Sequence, residues 1–176
     1  QFVILRPTDR GERIPLTISD FDPAAGTVSI VYQVVGGSTL LLDSLSIGDS
    51  LSSFTGPLGR PSHIEGYRNA AVIGGGLGCA IALPTAAALH RQGCRVTAIA
   101  GFRSREQVIL EREMNDSSDR FLLCSDDGSA GEKGFVTGAL EQLLQAGERF
   151  DMVFAIGPLP MMQAVSDLTA RWDTPC

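Results

Sequence analysis

Asn69-Ala-Ala-Val-Ile-Gly-Gly-Gly-Leu-Gly78 is an apolar run that ends in four glycines, and an apolar helical stretch, Cys79–Gln92, follows it with Pro84 near its start. A buried strand that turns through glycines into a helix is suited to binding phosphate. Glycine lets backbone N–H groups come close to the anion, and the helix N-terminus adds partial positive charge. The dinucleotide fingerprint G-x-G-x-x-G is met in its first half, while its third glycine is absent. The spacing therefore names a dinucleotide as first candidate ligand, the alternative being a tight strand–helix turn without one.

Outward from this stretch, the residues after Arg68 repeat the same rhythm. Ala70–Ile73, Arg95–Ala100, Arg120–Cys124 and Met152–Ile156 read as short strands buried on both faces. Between and after them, Cys79–Gln92, Arg105–Asp116, Val136–Gln145 and Pro160–Trp172 read as helices. Alternating β and α elements predict a doubly wound parallel sheet with ligand loops at the carboxyl ends of the strands. Those loops are Gly74–Gly78, Gly101–Arg105, Ser125–Gly134 and Gly157–Met162.

Before Arg60 the pattern is different. Phe2–Arg6, Ile14–Ser19, Thr27–Val35 and Ser50–Thr55 read as strands separated by turn residues, and Ser38–Leu45 reads as a short helix capped by Ser38. About four antiparallel strands are too few to close a small barrel and leave exposed edges. The expected organisation is a partial β-barrel over residues 1–66 and an α/β domain over 67–176. With no initiator Met and an abrupt stop at Cys176, the chain reads as a fragment of a longer polypeptide.

Composition excludes several classes. A net charge of −6 with scattered Lys and Arg argues against nucleic acid. No apolar run approaches the roughly 20 residues that span a bilayer, and no secretory signal is evident. Cys79, Cys94, Cys124 and Cys176 form no C-x-x-C pair, so no metal site is read and a reducing cytoplasm is the default.

Arg103 and Arg105 follow the second strand of the α/β half, where they either grip a phosphate or are solvated. Asp126 and Asp127 follow the third, as ribose ligands or in an Asx turn, the turn being favoured more at Asp126 than at Asp127. Met161 and Met162, behind Gly157, read first as packing residues. His63 and His90 have no companion at triad or ligand spacing, so no catalytic side chain is assigned and a cofactor must carry any reaction. In the β half, Arg13-Ile-Pro-Leu-Thr17 is a strand able to meet a flavin edge, and Gly36-Gly-Ser-Thr39 is a glycine turn entering a helix.

Taken together, Phe2–Arg6, Ile14–Thr17, Gly56-Pro-Leu-Gly59 and Gly157-Pro158 with Met161-Met162 resemble the ferredoxin–NADP reductase superfamily. Within it they are similar to two groups. One is the flavin (alpha) subunit of NADH-dependent reduced ferredoxin:NADP oxidoreductase, also known as a sulfide dehydrogenase subunit. The other is the electron-transfer subunit of dihydroorotate dehydrogenase.

The resemblance implies FAD against Ile14, Pro15, Leu16, Thr17, Val31, Tyr32, Gln33, Ser38 and Thr39. It implies NAD(P)H against Gly75, Gly76, Gly78, Gly101, Arg103, Asp127 and Gly157. Hydride would pass between nicotinamide and flavin held face to face by the two halves. Electrons would then reach an iron–sulfur centre, a ferredoxin-type carrier or a larger oxidoreductase subunit. The family's [2Fe–2S] cysteine cluster is absent here and would lie in a missing C-terminal part. The family's flavin-side arginine falls at Ile14, and Arg13 lies one residue early, on the opposite face of a strand. Alternative readings are a flavin reductase with a small-molecule acceptor and a regulatory subunit that binds nucleotide without turnover.

Overall fold

The alternating runs after Arg68 form, in a computed structural model that describes residues 1–176, a five-stranded parallel sheet with helices on both faces. Its strands are β5 (Asn69–Gly75), β6 (Arg95–Phe102), β7 (Arg120–Ser125), the two-residue β8 (Glu132–Lys133) and β9 (Met152–Ile156). Their order is β8-β7-β6-β5-β9. The chain steps outward from β5 through β6 and β7, then returns to place β9 on the other side of β5. The boundary between β5 and β9 is thus the topological switch point, where open α/β sheets bind ligands.

Period-two alternation along β5 divides the core. Ala70 and Val72 pack with Ala82, Ala86 and Leu89 of α2 (Gly78–Arg91). Ala71 and Ile73 belong to the opposite core, with Leu140 and Leu144 of α4 (Val136–Gln145) and Val165 and Leu168 of α5 (Leu159–Arg171). The helix α2 runs unbroken through Pro84. An interior proline costs about 3 kcal/mol. Burying Leu83 and Leu89, at about 1.5–3 kcal/mol each, offsets it.

One predicted helix is corrected. Arg105–Asp116 is a 3-10 turn at Arg105–Gln107 followed by a separate α3 at Glu111–Asp116. Leu110, at φ 55°, breaks the run. The break lets Val108 and Ile109 pack against the Phe102 cluster while Leu110 and Phe121 pack with Met114. The short β8 has too few residues to show a period.

The chain divides into two compact units, Gln1–Ser62 and His63–Cys176. The first holds an open antiparallel sheet in the order β3-β2-β1-β4, from β1 (Phe2–Arg6), β2 (Ile14–Asp22), β3 (Thr27–Ile30) and β4 (Ser53–Leu58). The expected combination of an antiparallel flavin-type β sheet and a doubly wound α/β sheet holds. Three details differ. The strand expected over Ser50–Thr55 lies three residues later, at Ser53–Leu58, the strand expected over Thr27–Val35 stops at Ile30, and the helix α1 (Gly37–Asp43) is not capped by Ser38. Instead Thr39 Oγ1 accepts the N–H groups of Val35 and Gly36, each at 3.0 Å, which pulls that segment out of the ladder.

The amino ends of the parallel strands are tied by two aspartates placed alike. Asp151, just before β9, donates its N–H to Asn69 O at 2.8 Å. Its Oδ2 accepts from Arg68 N at 2.7 Å and Asn69 N at 3.0 Å. Asp119, before β7, donates to Val96 O at 2.9 Å and accepts from Val96 N at 2.7 Å. The Arg68 and Asn69 amides hold the Asp151 carboxyl below the ordinary carboxylate range. A group whose pKa is depressed on folding stabilises above its unfolded pKa, and the contribution is lost as pH falls through the folded one. Asp151→Ala should therefore lower the melting temperature by roughly a few degrees near neutrality, and the gap from wild type should close as pH falls below the ordinary carboxylate range. Thermal scans across that range, followed by circular dichroism, check it.

Candidate functional site

The four loops at the carboxyl edge of the parallel sheet converge on the switch point. Gly76 donates to Gly101 O at 2.9 Å, joining the β5 loop to the end of β6. A Cβ at Gly157 would lie 3.1 Å from Gly75 Cα, so these two backbones touch. Asp127 donates to Arg103 O at 3.3 Å, joining the β7 loop to the β6 loop. All seven residues singled out for nucleotide binding, Gly75, Gly76, Gly78, Gly101, Arg103, Asp127 and Gly157, thus meet along one edge.

The glycines differ in what demands them. At Gly78 a Cβ would collide with Ile156 O and come within 2.8 Å of Gly157 Cα. At Gly75 it would strike Met161 Sδ, and at Gly101 it would lie 2.5 Å from Val136 Cγ1. These three are packing glycines that let α2, α4 and α5 close on the strand ends. Gly76 is different: its φ is +54°, and no atom lies within 4 Å of a built Cβ. Beside it, the N–H groups of Leu77 and Gly78 donate to no acceptor in the protein. An open left-handed glycine next to two free donors at a helix N-terminus fits an anionic phosphate.

The adjoining side chains are partly committed to one another. Asp127 Oδ1 accepts from Ser129 N at 2.9 Å and Ser129 Oγ at 2.6 Å. These bonds, the hydroxyl's first, hold the Asp127 carboxyl below the ordinary carboxylate range. The Asx turn therefore forms at Asp127, not at Asp126 where it was more expected. Ser129 Oγ also accepts from Arg105 N at 2.8 Å, so the turn braces the arginine loop. Arg105 pairs with Glu111 at 2.6 Å, whereas Arg103 is exposed and pairs with no carboxylate. Cys79 lies in the first turn of α2, and burial pushes its thiol up to about 12, leaving it a neutral packing group against Gly74.

One feature escaped the sequence. The exposed large apolar residues of the second unit are Leu77, Ile81, Phe135 and Leu159, all near the helix starts at this edge. Phe135 is 70% exposed and Leu159 73%. They form an apolar rim suited to flat rings. No local signal marks it, because isolated apolar residues at helix starts also read as core.

In the first unit, Arg10–Ile14 and Val35–Leu41 wall an open cleft of about 800 Å³. Of the residues expected at a flavin, Ile14, Ser38 and Thr39 line it, and Pro15, Leu16, Thr17, Val31, Tyr32 and Gln33 do not. The pairing of Phe2 with Thr17 and Val3 with Leu16 puts Thr17 and Pro15 on one face and Leu16 and Ile14 on the other. The cleft joins apolar walls to one arginine, Arg10, and one acid, Glu12, while its hydroxyls donate within the protein, and the apolar wall with a free guanidinium fits an amphipathic ring system carrying phosphate. No group of three or more His, Cys, Asp or Glu side chains is placed to hold a metal, and no helix is long and apolar enough to cross a membrane.

No protein-family profile matches the chain. A protein of Thermotoga maritima named as a homolog of the dihydroorotate dehydrogenase B (NAD(+)) electron transfer subunit is 43% identical over 163 residues, 93% of this chain and 57% of that protein. The electron transfer subunit of Fusobacterium nucleatum dihydroorotate dehydrogenase B is 31% identical over 94% of this chain and 66% of its own. Among solved structures, the NADH-dependent reduced ferredoxin–NADP oxidoreductase superposes with a TM-score of 0.88 at 40% identity, over 97% of this chain and 61% of that one. The cytochrome b5 reductase domain of Ulva prolifera nitrate reductase, at TM-score 0.71 and 16% identity, shares the fold. The chain spans 57% of the length of the Thermotoga relative and 66% of the Fusobacterium one. The switch-point loop, the paired sheets and these relatives together show that the chain belongs to the ferredoxin–NADP reductase superfamily, alongside the dihydroorotate dehydrogenase B electron transfer subunits and the NADH-dependent reduced ferredoxin–NADP oxidoreductase.

Proposed function

We propose that the chain is the flavin- and nucleotide-binding part of an oxidoreductase subunit that moves hydride between NAD(P)H and FAD and passes electrons to a partner. The observation that carries this reading is the open Gly76 with the free N–H groups of Leu77 and Gly78 at the switch point, a phosphate cradle on a dinucleotide-type sheet. The names of the relatives support the flavin and electron-transfer parts.

On this reading residues 67–176 bind NAD(P)H and residues 1–66 contribute part of an FAD-binding barrel. Bound FAD supplies two-electron chemistry toward the nicotinamide and one-electron chemistry toward the acceptor. The protein's share is binding and orientation. Gly76, Leu77 and Gly78 hold the nucleotide phosphates, with Gly75, Gly101 and Gly157 keeping the loop in place. Arg103 and Asp127 flank the adenosine side, and the apolar rim excludes water from the rings. Ile14–Thr17, Val31–Gln33, Ser38 and Thr39 serve the flavin. No ionisable side chain has to move a proton. The acceptor is a larger oxidoreductase subunit, a ferredoxin-type carrier or an iron–sulfur centre of the [2Fe–2S] type held outside these residues. Four unpaired cysteines accord with a cytoplasmic setting.

Two experiments test this. Protein reconstituted with FAD should show a flavin absorbance band that NADH or NADPH bleaches without oxygen, and comparing the two rates names the preferred nucleotide. A colourless protein that still binds NADH sinks the flavin half of the reading. Separately, Gly76→Val should weaken NADH binding on the order of tenfold or more, because a Cβ enters the space a phosphate needs, at a stability cost of roughly 1–2 kcal/mol from a side chain at φ +54°. Gly78→Ala should instead lower thermal stability sharply, since its Cβ collides with Ile156 O. NADH titration and melting curves separate the two effects, and unchanged affinity in Gly76→Val counts against the cradle.

A further inference from the structure

The geometry points to Arg10 as the side chain that holds the diphosphate of FAD in the cleft of the first unit, an assignment that rests on the flavin reading above. The cleft has two walls: the β1–β2 hairpin from Arg10 to Ile14, and the segment from Val35 to Leu41. Its apolar lining includes Val35 at 75% exposure, Leu40 at 58% and Leu41 at 39%, while α1 has no buried residue. The polar side chains are those of Arg10, Glu12, Ser38, Thr39 and Ser44.

The arginines of this unit are not equivalent. Arg6 is tied to its own hairpin, donating to Thr8 O at 3.2 Å and Asp9 O at 2.7 Å and pairing with the Asp9 carboxylate at 3.4 Å. Neither Arg13 nor Arg60 lines the cleft. Arg10 does, and it pairs with no carboxylate. Its position is set by the turn Thr8–Gly11, closed by Gly11 N donating to Thr8 O at 2.9 Å. The neighbouring Asp9 does not neutralise it, because that carboxylate is turned to Arg6 and the Ser52 hydroxyl. Arg10 is therefore an unpaired guanidinium presented by a braced turn.

A dinucleotide flavin places two phosphate charges between its ring systems. Guanidinium meets such oxygens with two parallel N–H donors, so it binds phosphate strongly and in one orientation. The single acid on the walls, Glu12, accepts from Ser38 Oγ at 3.4 Å and would repel the same phosphates. Arg10 and Glu12 should thus act with opposite sign on FAD and have little effect on a flavin without phosphate.

The test is the dissociation constant for FAD and for riboflavin, read by flavin fluorescence at fixed ionic strength, in the wild type, Arg10→Ala, Arg10→Lys, Arg13→Ala and Glu12→Gln. Melting curves confirm that each variant folds. Arg10→Ala should weaken FAD binding on the order of tenfold or more and leave riboflavin within about twofold. Arg10→Lys should recover part of the loss, Arg13→Ala should change little, and Glu12→Gln should match or tighten wild-type FAD binding. Unchanged FAD affinity in Arg10→Ala, an equal loss for riboflavin, or a loss carried by Arg13→Ala instead each overturns the assignment. A folded wild type that binds neither flavin overturns the flavin reading itself, and the Arg10 assignment with it.

Discussion

The close approach of Gly78 to the end of β9 is the constraint on which the α/β unit turns. The first residue of α2 sits against Ile156 O and Gly157, so the helix start lies directly over the switch point. Every neighbour follows from that contact. Gly75 and Gly157 must lack side chains because Met161 fills the space between them. The N–H groups of Leu77 and Gly78, at the start of the helix, have no acceptor within the protein. A helix dipole and two free donors meet at the one place where the sheet topology opens a crevice.

The same economy of space explains why so many glycines mark this edge and so few serve a ligand. Gly75, Gly78, Gly101 and Gly157 permit close packing, whereas Gly76 between them has both a left-handed backbone and an open face. A glycine-rich loop is thus first a packing solution. The free N–H donors at its end lie where the helix comes nearest to the strands.

The first unit works by a different balance. Its buried core is small, with Val3, Leu5 and Ser19 fully inside, and many of its large apolar side chains remain exposed. Two charged residues of the hairpin, Arg10 and Glu12, line the cleft of this unit.

The parallel sheet, its helices and the loop Gly74–Gly78 were legible in the sequence, because burial on both faces forces short apolar runs and a tight turn forces glycine. The antiparallel strands were legible for the same reason of period, apart from Val31–Val35, which Thr39 draws away. Other features depended on partners distant in sequence. The break at Leu110 answers to Phe102 and Met114, and the turn at Asp127 to Ser129 and the arginine loop. Arg10 lines the cleft without a carboxylate partner while Asp9 is drawn to Arg6 and Ser52. Local spacing encodes which elements form. Where a side chain points, and which charge stays unpaired, is settled only when the folded chain brings remote groups within hydrogen-bonding distance.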